Sequence, residues 1–280
     1  MERKSISKKA LNEYKTFLIR EEKSPATVEK YMREICLLAA FLRGAAISKQ
    51  KMIEYRAKLM ETYQPRTVNT KLSAVNSYLC FLGMEGCTVK LLKIQRQAFV
   101  DEEKELSEEE YHQLLLAAQH RRNLRLYHVI LTICSTGIRV GELRFVTVEA
   151  LRAGRVQIHL KGKDRMILLP KKLIKKLKQY VSSRSIKTGP VFQTRSGKPL
   201  DRSNIWHEMK EICEEAGVDR RKVFPHNLRH LFARCFYAAE KNLALLADIL
   251  GHSSIETTRI YVAEGIRAHE RILKKMRLIL

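Results

Sequence analysis

Three short runs of this chain hold residue types that can act on phosphorus. The run Leu250-Gly251-His252-Ser253-Ser254-Ile255-Glu256-Thr257-Thr258-Arg259-Ile260-Tyr261 sets His252 nine residues before Tyr261. Upstream of it lies His226-Asn227-Leu228-Arg229-His230, and far upstream Thr136-Gly137-Ile138-Arg139-Val140-Gly141-Glu142-Leu143. Moving a phosphoryl group onto a protein hydroxyl without a metal takes a nucleophile, fixed positive charge for the transition state, and an acid for the departing oxygen. Arginine suits the second role because its planar fork matches two phosphate oxygens and it does not deprotonate. Ile138, Val140 and Leu143 flank Arg139, and Leu228 and Leu231 flank Arg229. A guanidinium in such apolar company calls for an anionic partner. Glu142, three residues after Arg139, reads as a group that orients it. Tyr261 is the candidate nucleophile. With an ordinary pKa of about 10 its hydroxyl needs neighbouring cations or a base. An ester to that hydroxyl would conserve the energy of the broken phosphodiester, and the chain has no G-x-x-x-x-G-K-[ST] loop for ATP. His226 and His230 also form an H-x-x-x-H pair, but Asn227 stands where a zinc protease needs glutamate, and no third ligand stands out. No metal and no cofactor are expected.

These residues need elements to hold them. Residues 1–100 read as helical: Ser24-Pro25 and Gln64-Pro65 open helices with proline at the first position. The first carries Val28, Tyr31, Ile35 and Leu38 on one stripe and closes at Gly44; the second carries Val68, Leu72, Val75 and Leu79. Four or five short helices are expected there. The acidic run DEEKELSEEE at 101–110 separates two basic bodies, and Ser107-Glu108-Glu109-Glu110 has the form of a capping box. Helices are expected at 107–120, 123–136 and 139–145. A hairpin follows, Arg155–Leu160 and Met166–Leu169 across a Lys-Gly-Lys-Asp turn, and mostly helix from 171 onward. The fold class is therefore mainly α. A helical bundle over 1–98 leads through an acidic linker over 99–106 to an α+β domain over 107–280 with a small antiparallel hairpin.

Composition bounds the partners. Lys and Arg number 53 against 30 Asp and Glu, a formal charge of +23, which draws polyanions, nucleic acid first. No stretch approaches the roughly 20 apolar residues of a membrane span, and the N-terminus lacks a signal-peptide pattern, so no membrane partner and a cytoplasmic location are expected. The cysteines at 36, 80, 87, 134, 213 and 235 are scattered without a C-x-x-C pair and read as reduced, buried small hydrophobes.

In their order and separation the three runs resemble those of the tyrosine recombinases, the phage and transposon integrases and Xer-type enzymes. The resemblance covers 107–270 as the catalytic domain, and Ser24-Pro25-Ala26-Thr27-Val28-Glu29-Lys30-Tyr31 in style as the helical core-binding domain. It implies Tyr261 as nucleophile, Arg139 and Arg229 as phosphate ligands, His226 as proton shuttle or transition-state donor, and His252 as a donor to the scissile phosphate. His230 is a structural neighbour. The family's hairpin motif, G-K-G-x-K-x-R, corresponds to Leu160-Lys161-Gly162-Lys163-Asp164-Arg165, one residue shorter. Lys161 matches its leaving-group acid best, and Lys163, in the turn, stays open for that role. Arg66, Lys71 and Lys163 are candidate DNA contacts. The chain departs from the family pattern at Gly141, Asn227 and Leu231, none of them a reacting group. It begins almost at the core-binding domain, which suggests the small Xer-like type without an arm-binding domain.

The implied activity is site-specific recombination or integration, with metal-free cleavage and rejoining through a 3′-phosphotyrosyl intermediate. Double-stranded DNA is the implied partner. A monomer in solution would assemble into a homotetramer on DNA, with an accessory DNA-bending protein as a further candidate partner. The apolar spacing of the tail from Gly265 to Leu280 fits a helix that docks in cis or in trans. Two other readings stay open: a type IB topoisomerase-like DNA-relaxing enzyme, and a non-catalytic DNA-binding accessory protein.

Overall fold

The computed structural model describes residues 6–94, 102–160, 163–252 and 254–262. It divides into two compact units, Met1–Arg96 and Gln97–Leu280. The first is built from α1 (Lys8–Arg20), α2 (Pro25–Leu42), α3 (Lys49–Thr62) and α4 (Pro65–Phe81). Ser7, Ser24 and Ser48 cap the first three through their hydroxyls, and Pro25 and Pro65 open α2 and α4. The expected stripes face the core. Val68, Leu72, Val75 and Leu79 are all buried, as are Val28, Ile35 and Leu38, while Tyr31 sits at the core's edge. The end of α2 differs from expectation in one detail: Arg43 itself takes the left-handed conformation at φ 47, one residue before Gly44.

In the second unit Ser107 and Glu110 form the expected capping box at the start of α5 (Glu108–His120). Such a cap is worth about 1 kcal/mol. The acid-rich stretch ahead of it is no free tether at its end, because Leu106 is fully buried in the second unit's core. Asn123 caps α6 (Leu124–Thr136), whose Leu126, Val129, Ile130 and Ile133 form the centre of that core. After α6 the chain turns into the helix expected at 139–145, which is a 3-10 helix over Val140–Phe145, then α7 (Val148–Ala153).

The hairpin pairs β1 (Arg155–Leu160) with β2 (Lys163–Leu168), in register from Arg155↔Leu168 to Leu160↔Lys163. Lys163 therefore belongs to the ladder and not to the turn. Backbone pairing extends through polar residues that hydrophobic patterning leaves out. Then come α8 (Lys171–Ser183), α9 (Arg202–Glu211), α10 (Pro225–Glu240), α11 (Leu243–Leu250) and α12 (Ile255–Val262).

All six cysteines are free thiols, but Cys36 and Cys80 are exposed and only Cys213 is buried, so burial does not describe the set. Among the described residues no helix is long and apolar enough to cross a membrane.

Candidate active site

The three runs meet in the second unit at the ends of α6, α10 and α11. Gly137 caps α6 at φ 63, where a Cβ would lie 2.5 Å from the Phe232 ring, so the turn needs both the conformation and the smallness of glycine. That turn delivers Arg139 to the N-cap of the 3-10 helix. Glu142, 5% exposed, accepts from the Arg139 backbone N–H at 2.8 Å and from its Nη1 at 3.0 Å. The same carboxylate accepts from Arg165 Nη2 at 3.0 Å. Arg139 Nη2 continues to the Gly251 carbonyl at 3.1 Å, and Arg165 Nη1 donates to the Leu250 carbonyl.

Arg229, in the first turns of α10, is 1% exposed. Its Nη1 donates to the Gly137 carbonyl, and its Nη2 to the Leu250 carbonyl at 2.7 Å and to His252 Nε2 at 3.0 Å. Among the described residues it has no salt-bridge partner, and its Nε is buried without a hydrogen bond. Burial, then Arg139 close by, pushes its pKa down to about 10. It remains charged at neutral pH.

Because a guanidinium can only donate, His252 Nε2 must accept, which puts the ring proton on Nδ1, 2.9 Å from the Thr258 hydroxyl. In this state His252 donates to Thr258 and not outward. Tyr261, 8% exposed on α12, packs against Ala233, Leu246 and Leu250. Its ring lies 4.2 Å from that of His230, 5.1 Å from His252 and 5.5 Å from His226, centroid to centroid. The Tyr261 hydroxyl is 3.5 Å from His226 Nε2. Burial and the neighbouring cationic side chains push His226 and His252 down to about 4, so both are neutral at pH 7. A tyrosine hydroxyl beside a neutral imidazole, near three arginines of which two share one carboxylate, can attack an anionic phosphorus centre.

Residues 104–265 match the phage integrase family, and residues 11–86 match the phage integrase N-terminal SAM-like domain. The chain belongs to the phage integrase family. Tyrosine recombinases are DNA breaking–rejoining enzymes, and this chain is one of them. Tyrosine recombinase XerA of Pyrococcus furiosus is 28% identical over 272 residues, covering 93% of this chain and 91% of that protein. Tyrosine recombinase XerD of Vibrio cholerae is 29% identical over 255 residues, 84% of each chain. The fold is that of the XerH site-specific recombinase bound to its difH substrate in a pre-cleavage complex, with a TM-score of 0.70 and 20% identity over 96% of this chain and 84% of that one.

Within this recombinase, Tyr261, Arg139, His226, Arg229 and His252 come together. Lys161 lies outside the described residues, as do the side chain of Lys163 and the tail beyond Val262. Lys71 is no free DNA contact: it is 8% exposed, its ammonium lies 2.8 Å from the buried Glu34 carboxylate, and it sits over the Tyr63 ring. Arg66, at the start of the same helix, is exposed. Two site residues carried no role in the sequence reading. Arg165 ends the hairpin motif quoted above, which could have marked it. Glu105 approaches His230 from the acidic run, and no local pattern signals that. Among the described residues no cluster of His, Cys, Asp and Glu could hold a metal ion.

Proposed function

We propose that this enzyme is a site-specific recombinase acting on duplex DNA, with Tyr261 as its nucleophile. The Tyr261 hydroxyl attacks the scissile phosphorus, forming a 3′-phosphotyrosyl ester and expelling the 5′ oxygen. His226, neutral at pH 7, takes the tyrosine proton through Nε2. Arg139 and Arg229 hold the non-bridging oxygens and stabilise the charge of the transition state. His252 donates to the phosphate through Nε2 once Arg229 Nη2 turns to the substrate and the ring proton moves from Nδ1 to Nε2, the Thr258 hydroxyl then donating to Nδ1. Lys161 protonates the leaving oxygen. Attack of a 5′ hydroxyl from a second duplex reverses these steps and frees the tyrosine.

One observation carries this reading: the fully buried Arg229 lacks a carboxylate partner while its guanidinium reaches His252 beside Tyr261. A buried charge left uncompensated is costly, and a phosphate diester would neutralise it. The same reading takes in a homotetramer on DNA, an accessory DNA-bending protein, a cytoplasmic setting, and Arg66 and Lys163 at the phosphate backbone. The relatives' being tyrosine recombinases favours recombination over relaxation of supercoils.

The test is covalent capture. A duplex drawn from a random-sequence pool by tight binding, and nicked next to the cleavage point, is incubated with wild-type and Tyr261→Phe protein. On a denaturing gel, wild type is expected to give a protein–DNA adduct and Y261F none. An adduct of equal yield from Y261F would remove Tyr261 from the mechanism.

A further inference from the structure

We infer that Glu105 is a positioning residue for the nucleophile, acting through His230. The inference rests on the reading of Tyr261 above. Glu105 stands in the middle of the acidic run, yet its side chain is only 13% exposed, because the segment is fastened to α10. Arg234 donates through Nη2 to the carbonyl of the fully buried Leu106, and its Nε lies 3.6 Å from Glu105 Oε2. That leaves Glu105 Oε1 at 3.4 Å from His230 Nδ1. On its far side the His230 ring packs against Tyr261 at 4.2 Å and against His226 at 4.6 Å.

The chemistry follows from what each group can do. An ionised carboxylate only accepts, so the His230 proton facing it sits on Nδ1, and the ring's tautomer and plane are set together. Carboxylate–histidine pairs orient imidazoles in this way at many sites. Burial works to raise the Glu105 pKa. His230, by hydrogen bond and charge, then Arg234 and His226, outweigh burial and hold it below the usual carboxylate range, so the group is ionised at pH 7. Tyr261 rests on the ring that Glu105 fixes. Its hydroxyl is still 3.5 Å from His226 Nε2, longer than the roughly 2.6–3.2 Å that proton transfer needs. Small errors in ring placement at that point are expensive, since a misplacement of about 1 Å can cost about 100-fold.

The experiment uses the full-length protein and the nicked, pool-selected duplex, reading three quantities: rate of adduct formation, affinity for the duplex, and melting temperature. Glu105→Ala is expected to slow adduct formation about 10–100-fold without changing affinity. Glu105→Gln keeps an oxygen that accepts from Nδ1–H and is expected to stay close to the wild-type rate. In a His230→Ala background Glu105→Ala should add no further loss, since both act on one ring. Arg234→Gln loosens the same segment without touching His230; it should lower the melting temperature and slow the rate less than Glu105→Ala does. The proposal is overturned by wild-type rates in E105A, by E105Q as slow as E105A, by a full further loss in the H230A background, or by R234Q as slow as E105A. A wild-type protein that forms no adduct, or a Y261F protein that does, instead defeats the assignment of Tyr261.

Discussion

A guanidinium has five N–H donors, and Arg229 uses three of them on Gly137, Leu250 and His252. The Nε–H and one Nη1–H are left over, so this arginine can meet a phosphate before it gives up any tie to the protein. The histidines beside it give a pH prediction. Held at about 4 in the fold against 6.5 when unfolded, His226 and His252 bind protons less readily in the native state. Stability from this source is therefore complete above about pH 6.5 and is lost as pH falls toward about 4. Thermal melting across that range should show the decline, and a His226→Asn/His252→Asn protein should show a shallower one; an unchanged slope would contradict the shifts. At this scale the residues that the structure brings together, Arg139, Arg229, His252 and Tyr261, were legible chiefly through the resemblance of their three runs, with apolar neighbours marking the two arginines. Glu105 was not legible: its partners His230 and Arg234 lie more than a hundred residues away, and in the sequence it is one of seven acids within the run 101–110.

Helix α4 shows the same divide at the scale of an element. Its opening proline and apolar stripe are local signals, and the structure follows them. Lys71 on that helix looked like any surface base because Glu34, which holds it, sits on α2, 37 residues away. The pair gives a prediction of opposite character to a DNA contact. Lys71→Met leaves the Glu34 carboxylate, 3% exposed, without its ammonium and is expected to cost about 3 kcal/mol of stability. Chemical denaturation should register that loss while affinity for duplex DNA stays unchanged; weaker binding at full stability would restore Lys71 to the interface. The hairpin's register also escaped the sequence, since Lys163, Asp164 and Arg165 pair through backbone atoms that hydrophobic patterning does not see.

For the whole molecule, the excess of 53 basic over 30 acidic residues makes association with DNA strongly dependent on salt. Each phosphate neutralised contributes about 0.9 to the slope of log affinity against log salt. Titrations from about 50 to 200 mM salt are expected to weaken binding by orders of magnitude, with Arg66→Ala reducing the slope by about one; a flat response would mean that phosphates are not the main contact. Charge and the acidic run marked two basic bodies in the sequence. How the second unit gathers its arginines was hidden, because the groups that hold them are peptide carbonyls that every residue has. Leu250 and Gly251 receive Arg139, Arg165 and Arg229 at the C-terminal end of α11, where a helix carries roughly half a negative charge. Peptide dipoles there do the work of a second carboxylate, but more weakly. They keep three cations parked side by side, yet a doubly liganded phosphate, with its full charge, outbids them. An aspartate in that place would lock the arginines against the very substrate they await.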